Sequence, residues 1–225
     1  MRIGILGGTG PAGSALGARL ASVGFDVVLG SRSKERAMDV AAAVKAKWPA
    51  LTLGITGGDN DDASACDVIV LATPWDSAAT TAVDHLALLR GKVVISMANA
   101  LVRVGHEFQP LLPPRGSVAA HVQAAVPECR VVAAFHHLPA TELGHLGDPI
   151  DSDVLICSDY AEAKKIAMQE ARSEGPAKKI SSAQKMLNDK TAALRAAKNK
   201  ALANSAKGKT QTPTAEAARR RNLNK

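Results

Sequence analysis

The chain has 225 residues, 46% of them hydrophobic, and a formal net charge of +7 that comes entirely from its C-terminal part. Residues 1–160 carry 12 Lys and Arg against 16 Asp and Glu, whereas residues 161–225 carry 16 against 5, so a uniformly basic nucleic-acid-binding domain is excluded. No apolar run approaches the length of a membrane helix and the N-terminus lacks a signal-peptide pattern, which predicts a cytoplasmic protein without a membrane partner.

The N-terminal segment predicts a strand, a glycine-rich loop and a helix. The apolar run at residues 3–6 is typical of a buried parallel strand. Residues 8–13, GTGPAG, then fit the pattern G-x-G-x-x-G and lead into a helical pattern. Such glycines allow a tight turn and close approach of a pyrophosphate, and the helix N-terminus attracts the phosphates. The segment therefore predicts a dinucleotide-binding loop, although glycines at this spacing also occur in ordinary turns.

The second apolar run, residues 27–30, ends in Ser31 and Arg32, with Arg36 close behind. NAD-binding proteins carry an acid at this point, which binds the ribose 2′-hydroxyl. An acid would repel a 2′-phosphate, whereas Arg binds it through charge-assisted hydrogen bonds. The sequence therefore favours NADP. The alternative is that Ser33 caps the next helix while Arg32 is merely solvated, and both interpretations can hold together.

Strands and helices continue to alternate along the chain. Further strands are predicted at residues 51–55, 67–72, 91–96, 130–135 and 153–157. Further helices are predicted at residues 33–48, from near Trp75 toward His85, at residues 117–125 and from about 160 onward, and a Gly- and Asp-rich loop is predicted after residue 55. This alternation predicts an α/β protein with a doubly wound parallel sheet, the Rossmann-type dinucleotide-binding fold.

Candidate ligand-binding residues follow the predicted strands. They are the glycine loop, Ser31-Arg32, Thr73-Pro74-Trp75, Ser96-Met97-Ala98-Asn99 and His136-His137-Leu138-Pro139. Because ligands bind at the carboxyl ends of parallel strands, these residues are expected to line one crevice. The crevice has no clear nucleophile or carboxylate pair, and the three cysteines show no metal-ligand spacing, so we predict neither a catalytic side chain nor a metal site.

Four segments together resemble the NADPH-dependent F420 reductases, also called F420H2:NADP oxidoreductases. They read MRIGILGGTGPAGSALGARLASVGFDVVLGSRS, ACDVIVLATPWDSA, KVVISMANAL and VVAAFHHLPA, and the resemblance runs from Met1 to about Lys165. It implies that a hydride passes directly between the nicotinamide of NADP(H) and the deazaflavin of coenzyme F420. The protein would supply orientation and exclude water.

The resemblance also implies the binding residues. Contacts to NADP(H) are expected from Gly8, Thr9, Gly10, Pro11, Ala12, Ser31, Arg32, Arg36, Trp75, Ala79 and Ala140. The deazaflavin is expected near Ser96, Met97, His136 and Leu138, with His137 a less certain neighbour because some relatives do not have it. From the residues alone, the two histidines could act as acid–base groups or only form hydrogen bonds, and Trp75 could contact a ring or belong to the core.

Beyond about residue 165 the resemblance ends. Residues 166–225 are rich in Ala and Lys and have no aromatic residue, which predicts a basic tail of marginal helices or disorder after an NADP-binding domain at residues 1–165. The apolar C-terminal domain that the family uses to enclose the deazaflavin is not recognisable in the tail.

Three hypotheses follow. The first is an oxidoreductase that transfers a hydride between NADP(H) and coenzyme F420, so its partners are small-molecule cofactors. In this hypothesis homo-oligomerisation is left open, and no nucleic acid or acidic partner is expected at the tail. The second is an NADPH-dependent imine or flavin reductase. The third is an NADP-binding sensor without enzymatic activity, whose basic tail contacts nucleic acid or another acidic partner.

Overall fold

Six parallel strands form the central sheet in the order β3-β2-β1-β4-β5-β8, and two further strands pair as an antiparallel hairpin, β6-β7. The strands are β1 Arg2–Leu6, β2 Asp26–Ser31, β3 Ile55–Asp59, β4 Val68–Leu71, β5 Val93–Ser96, β6 Leu101–Val104, β7 Glu107–Pro110 and β8 Arg130–Ala133. The computed structural model describes residues 1–147 and 150–172. The strand order is that of a doubly wound nucleotide-binding sheet, so the predicted fold class is confirmed.

Helices connect the strands on both faces of the sheet. They are α1 Pro11–Ser22, α2 Lys34–Lys47, α3 Asn60–Ser64, α4 Ala78–Asp84, α5 Leu86–Leu89, α6 Val118–Ala125, α7 Ala140–Leu143 and α8 Ala161–Arg172. Within the described ranges, no helix is both long and apolar enough to cross a membrane. The predicted tail lies outside the described residues from 173 onward, and its boundary at residue 165 stays a prediction.

Two apolar cores lie on opposite faces of the sheet, because alternate residues of each strand point to opposite sides. In β1, Ile3 and Ile5 belong to one core together with residues of α1 and α8, whereas Leu6 belongs to the other, which α4 and α6 cover. The strands are apolar on both faces because helices cover both. The continuous apolar runs that predicted the strands have this physical origin.

The predicted third strand at residues 51–55 is wrong in position. The strand lies at residues 55–59, and α3 follows at once, so the segment predicted as a Gly- and Asp-rich loop is ordered secondary structure. Gly57 explains the unusual composition, because a Cβ added there would lie 2.2 Å from the carbonyl carbon of Ala37 in α2. Close packing of α2 thus requires glycine in β3. Asp59 caps α3 by accepting a hydrogen bond from the Asp62 N–H at 2.8 Å.

The predicted strand at residues 153–157 is also wrong. Only an isolated antiparallel bridge forms there, between Cys157 and Ala133, with N–H···O distances of 2.8 and 2.9 Å. Ser158 then turns the chain, because its Oγ donates to Val131 O at 2.7 Å and accepts from Tyr160 N at 3.1 Å. The helix predicted from about residue 160 follows as α8.

Candidate functional site

The carboxyl ends of the six parallel strands meet at one edge of the sheet. The strand register aligns Leu6 with Gly30 and with Leu71, Leu71 with Ser96, and Ser96 with Ala133. The residues that follow these positions are the glycine loop, Ser31, Thr73, Met97 and the segment before Leu138. The structure therefore places the predicted site segments along a single edge, which we call the carboxyl edge.

Each glycine of the loop pattern has a different environment. The N–H of Gly8 donates to Gly30 O at 2.9 Å, and a Cβ on Gly8 would lie 2.9 Å from Leu29 Cα. A Cβ on Gly13 would lie 2.7 Å from Gly7 O, so this glycine lets α1 pack against the loop. A Cβ on Gly10 would meet only Gly7 O, at an ordinary 3.4 Å, among the described residues. The fold explains Gly8 and Gly13, whereas Gly10 leaves an open face of the kind that a pyrophosphate approaches.

The N-terminus of α1 is not capped by a side chain. Gly10 is the N-cap residue, Pro11 is the first helical residue, and the first turn holds no acid. The N–H groups of the first turn, including that of Ala12, have no acceptor within the helix. Together with the helix dipole, they form a site that favours an anion. Thr9 stands in the loop just before this helix end.

Ser31, Arg32 and Arg36 lie together at the end of β2 and the start of α2. Ser31 is buried, and its Oγ accepts the N–H of Ser33 at 3.2 Å. Ser33 caps α2 by accepting from Arg36 N at 3.2 Å, so the predicted capping role of Ser33 is confirmed. Arg32 and Arg36 are exposed, and no carboxylate within the described ranges forms an ion pair with either guanidinium.

Lys34, between the two arginines, differs from them because it is already paired. Its Nζ lies 2.8 Å from Asp62 Oδ2. The hydrogen bond between them, reinforced by their opposite charges, raises the pKa of Lys34 and lowers the pKa of Asp62. Among the described residues, Arg32 and Arg36 are therefore the cations left available at this end of the carboxyl edge.

The predicted nicotinamide-side residues come from three different elements. Trp75 and Ala79 are partly buried and pack against the core beneath α4, and the rest of the Trp75 side chain is exposed. Ala140 is the first residue of α7 and is half-buried. The helix predicted to start near Trp75 begins later, at Ala78.

The predicted deazaflavin-side residues follow β5 and β8. Ser96 and Met97 are 1% and 7% exposed, and Leu138 is 8% exposed. Phe135 is fully buried and adopts a positive φ of 61°, a left-handed conformation that is strained for a side chain of this size. This turn directs the chain from β8 into His136, whose backbone oxygen accepts a hydrogen bond from Asn99 Nδ2 at 2.6 Å.

The two adjacent histidines have different surroundings. His136 is half-buried, whereas His137 is exposed and its Nε2 is hydrogen-bonded to Asp153 O. Burial, and to a smaller extent the neighbouring His137, lowers the pKa of His136. The His136 imidazole is therefore neutral near pH 7 and suited to hydrogen bonding rather than to carrying a charge.

Four buried polar atoms at the carboxyl edge have no hydrogen-bond partner among the described residues. One is Asn60 Oδ1, directly after β3, and the other three are Thr73 Oγ1, Ser96 Oγ and His136 Nδ1. These other three follow or end β4, β5 and β8, which are neighbours in the sheet. Buried polar groups in native proteins normally have a partner, so these atoms fit a bound ligand. No group of three His, Cys, Asp or Glu side chains able to hold a metal occurs within the described ranges.

Arg19 is a buried residue that the sequence analysis missed. It is 4% exposed and lies in α1, from which its guanidinium donates to the backbone oxygens of Leu143, Glu142 and His145 at 3.2, 3.0 and 2.7 Å. These hydrogen bonds connect α1 to the C-terminal end of α7 and so stabilise the position of the helix that begins at Ala140. No sequence pattern indicates this role, because an Arg on a helix is usually exposed.

Comparisons with known proteins give a consistent result. A family described as "NADP oxidoreductase coenzyme F420-dependent" matches residues 2–100. The chain is 38% identical over 173 residues to the F420-dependent NADP reductase of Methanocaldococcus jannaschii, with 75% of this chain and 77% of that protein covered. It is 31% identical over 174 residues to the reductase of the same description from Methanothermobacter thermautotrophicus, with 75% of each covered.

The comparison with solved structures agrees with these sequence matches. A crystal structure from Arthrobacter sp. FB24, described as a candidate F420-dependent NADP reductase, superposes with a TM-score of 0.63 at 25% identity. The superposition covers 78% of this chain and 81% of that one. The similarity therefore extends through most of both chains.

Proposed function

The chain belongs to the F420-dependent NADP reductase family, and on that premise we propose that it transfers a hydride between NADP(H) and coenzyme F420. The observation that carries the proposal is the carboxyl edge. There, an open glycine face, two arginines without a carboxylate partner among the described residues and three buried polar atoms without a described hydrogen-bond partner lie at the ends of neighbouring strands. The residues present thus fit a dinucleotide on one side and a second ring system on the other.

The proposed roles at the adenosine end follow from charge and geometry. Ser31, Arg32 and Arg36 bind the 2′-phosphate, because no carboxylate of the described residues forms an ion pair with either arginine. The loop residues bind the pyrophosphate through the open face of Gly10 and the first turn of α1. This loop set comprises Gly8, Thr9, Gly10, Pro11 and Ala12.

The proposed roles at the reacting end are orientation and exclusion of water. When bound, the two coenzymes supply the chemistry, which is hydride transfer between their rings. Trp75, Ala79 and Ala140 contact the nicotinamide side. Met97 and Leu138, both nearly buried, keep water from the deazaflavin side, where Ser96 and His136 offer hydrogen bonds. Burial lowers the pKa of His136, so its neutral imidazole is proposed to form hydrogen bonds, and no side chain is assigned a catalytic proton transfer.

The proposed partners are the two small-molecule coenzymes, and homo-oligomerisation is compatible with this proposal. We assign no nucleic-acid partner to the tail. A cytoplasmic location is supported by Cys66, Cys129 and Cys157, which are all free thiols, because disulfides are rare in that compartment.

The test is an assay with NADPH and oxidised coenzyme F420 that follows the loss of deazaflavin absorbance. We expect turnover with the wild-type protein and none with Gly10→Val as the matched control. Turnover of flavins or imines alone would favour the second hypothesis. Tight NADPH binding without turnover of any acceptor would favour the sensor.

A further inference from the structure

Thr73 lies at the junction between the glycine loop and the rest of the carboxyl edge. The N–H of Ala72 donates to Leu6 O at 2.9 Å, which keeps this segment paired with β1 beyond the end of β4. A Cβ added to Gly7 would lie 3.0 Å from Thr73 Cγ2. The methyl group of Thr73 is therefore packed beside the glycine loop.

The hydroxyl group of Thr73 has a different environment from the methyl group. Its Oγ1 is buried and has no hydrogen-bond partner among the described residues. An unpartnered buried hydroxyl is destabilising, so valine, which has the same shape, would serve the fold better at this position. The threonine is explained if a ligand completes the hydrogen bond.

The order of the strands indicates which ligand group reaches Thr73. Ser31 ends β2 and Arg32 follows it, on one side of β1, whereas Thr73 follows β4, on the other side. A dinucleotide with its pyrophosphate on the glycine loop places its two halves on opposite sides of β1. The half opposite the 2′-phosphate is the nicotinamide nucleotide, and the group next to its phosphate is the ribose.

We propose that Thr73 Oγ1 hydrogen-bonds the nicotinamide ribose of NADP(H) and so positions the half of the coenzyme that carries the reacting ring. This inference rests on the proposed function. Thr73 is a positioning residue, because its hydroxyl orients the ring without touching the reacting carbon.

The test compares wild type, Thr73→Val and Thr73→Ser in the full chain by calorimetry. The ligands are NADPH and adenosine 2′,5′-bisphosphate, which lacks the nicotinamide half. We expect Thr73→Val to weaken NADPH binding roughly three- to tenfold, the effect of one neutral hydrogen bond, and to leave the bisphosphate affinity unchanged. Thr73→Ser keeps the hydroxyl and should bind NADPH as wild type does. Without nucleotide, the melting temperature of Thr73→Val should be no lower than that of wild type.

Five results would overturn the inference. Equal NADPH affinity in wild type and Thr73→Val would show that the hydroxyl makes no hydrogen bond to the coenzyme. Equal losses of affinity for NADPH and the bisphosphate would show that the hydroxyl does not act on the nicotinamide half. A similar loss in Thr73→Ser would assign the effect to the methyl group. A lower melting temperature of Thr73→Val without nucleotide would assign the hydroxyl to the fold itself. Wild-type protein that binds neither nucleotide would overturn the proposed function as well, so the two failures are distinguishable.

Discussion

At the scale of single residues, the basic side chains after β2 differ in what already neutralises them. Lys34 is held 2.8 Å from Asp62, whereas Arg32 and Arg36 have no carboxylate partner within the described part of the chain. All three would look equivalent in a count of positive charges. Only the two arginines are free to bind a phosphate, and this distinction separates a 2′-phosphate site from a solvated basic surface.

Replacing Ser31 and Arg32 together by Ala should weaken NADPH binding far more than NADH binding, because only NADPH carries the 2′-phosphate. Loss of a charge-assisted contact corresponds to roughly 1.5–3 kcal/mol, or about ten- to a hundredfold in affinity. Lys34→Ala is the matched control and should have a much smaller effect, since Asp62 already holds its ammonium group. Calorimetric titration of both nucleotides measures this, and equal losses for the two would refute the assignment.

His136 should make stability depend on pH in one direction. Its folded pKa lies below the ordinary value of 6.5 because of burial, so the unfolded chain binds protons more readily than the folded one. The folded protein is therefore more stable against unfolding above the ordinary pKa, and it loses this stability as the pH falls below that value. Thermal unfolding of wild type and His136→Gln at about pH 7.5 and about pH 5.5 should show a smaller loss in the variant. Identical losses would mean that His136 does not contribute.

At the scale of elements, the strands that could be predicted from the sequence are those whose apolar residues pack into the cores on both faces of the sheet. β1, β2, β4, β5 and β8 are continuous apolar runs because helices cover both faces. The position of β3 could not be predicted, because α2 packs closely against Gly57 and Asp62 of α3 packs closely against Gly58, and such glycines are typical of loops. The hairpin β6-β7 was missed because all of its residues are exposed, so no buried face leaves a pattern.

The candidate site was predictable to the extent that it depends on chain position after a strand. That rule located Ser31, Trp75 and Ser96 at the carboxyl edge. Arg19 could not be found in this way, because its burial depends on the contact between α1 and α7 rather than on local sequence. The unpartnered state of Thr73 Oγ1 is likewise visible only once the neighbouring strands are in place.

Two glycines of the same loop should respond oppositely to substitution. Gly10→Val should abolish NADPH binding and leave the fold intact, because its Cβ meets only one described atom, at 3.4 Å. Gly13→Val should lower the melting temperature, because its Cβ would lie 2.7 Å from Gly7 O. Circular dichroism melting with nucleotide titration separates the two effects. Wild-type NADPH affinity in Gly10→Val would reduce this loop to a structural turn.

At the scale of the whole molecule, the nucleotide contacts and the basic charge belong to different parts of the chain. Every proposed coenzyme contact lies at or before Ala140, whereas the excess of Lys and Arg lies after residue 160. The overall charge of +7 therefore says little about the ligands of the carboxyl edge. Family membership extends over about three quarters of the chain, and the remainder is the part to which no contact is assigned.

Truncation after residue 175 should leave NADPH affinity unchanged, because no proposed contact is removed. The melting temperature should move little, since residues 176–225 contain no aromatic residue and few large apolar ones. Calorimetry with NADPH and with coenzyme F420 on the full-length and truncated proteins provides the measurement. A large loss of coenzyme F420 binding on truncation would show that the tail takes part in the active site.

The central claim is that a hydride passes directly between the two coenzymes. The most direct test uses NADPH labelled with deuterium at nicotinamide C4, prepared separately with the label on each face, and mass analysis of the reduced deazaflavin. We predict that the deuterium from one of the two faces is recovered on the deazaflavin, because the carboxyl edge holds the rings in one orientation. Reduced coenzyme F420 without deuterium from either form, or no reduction despite bound NADPH, would contradict the proposed function.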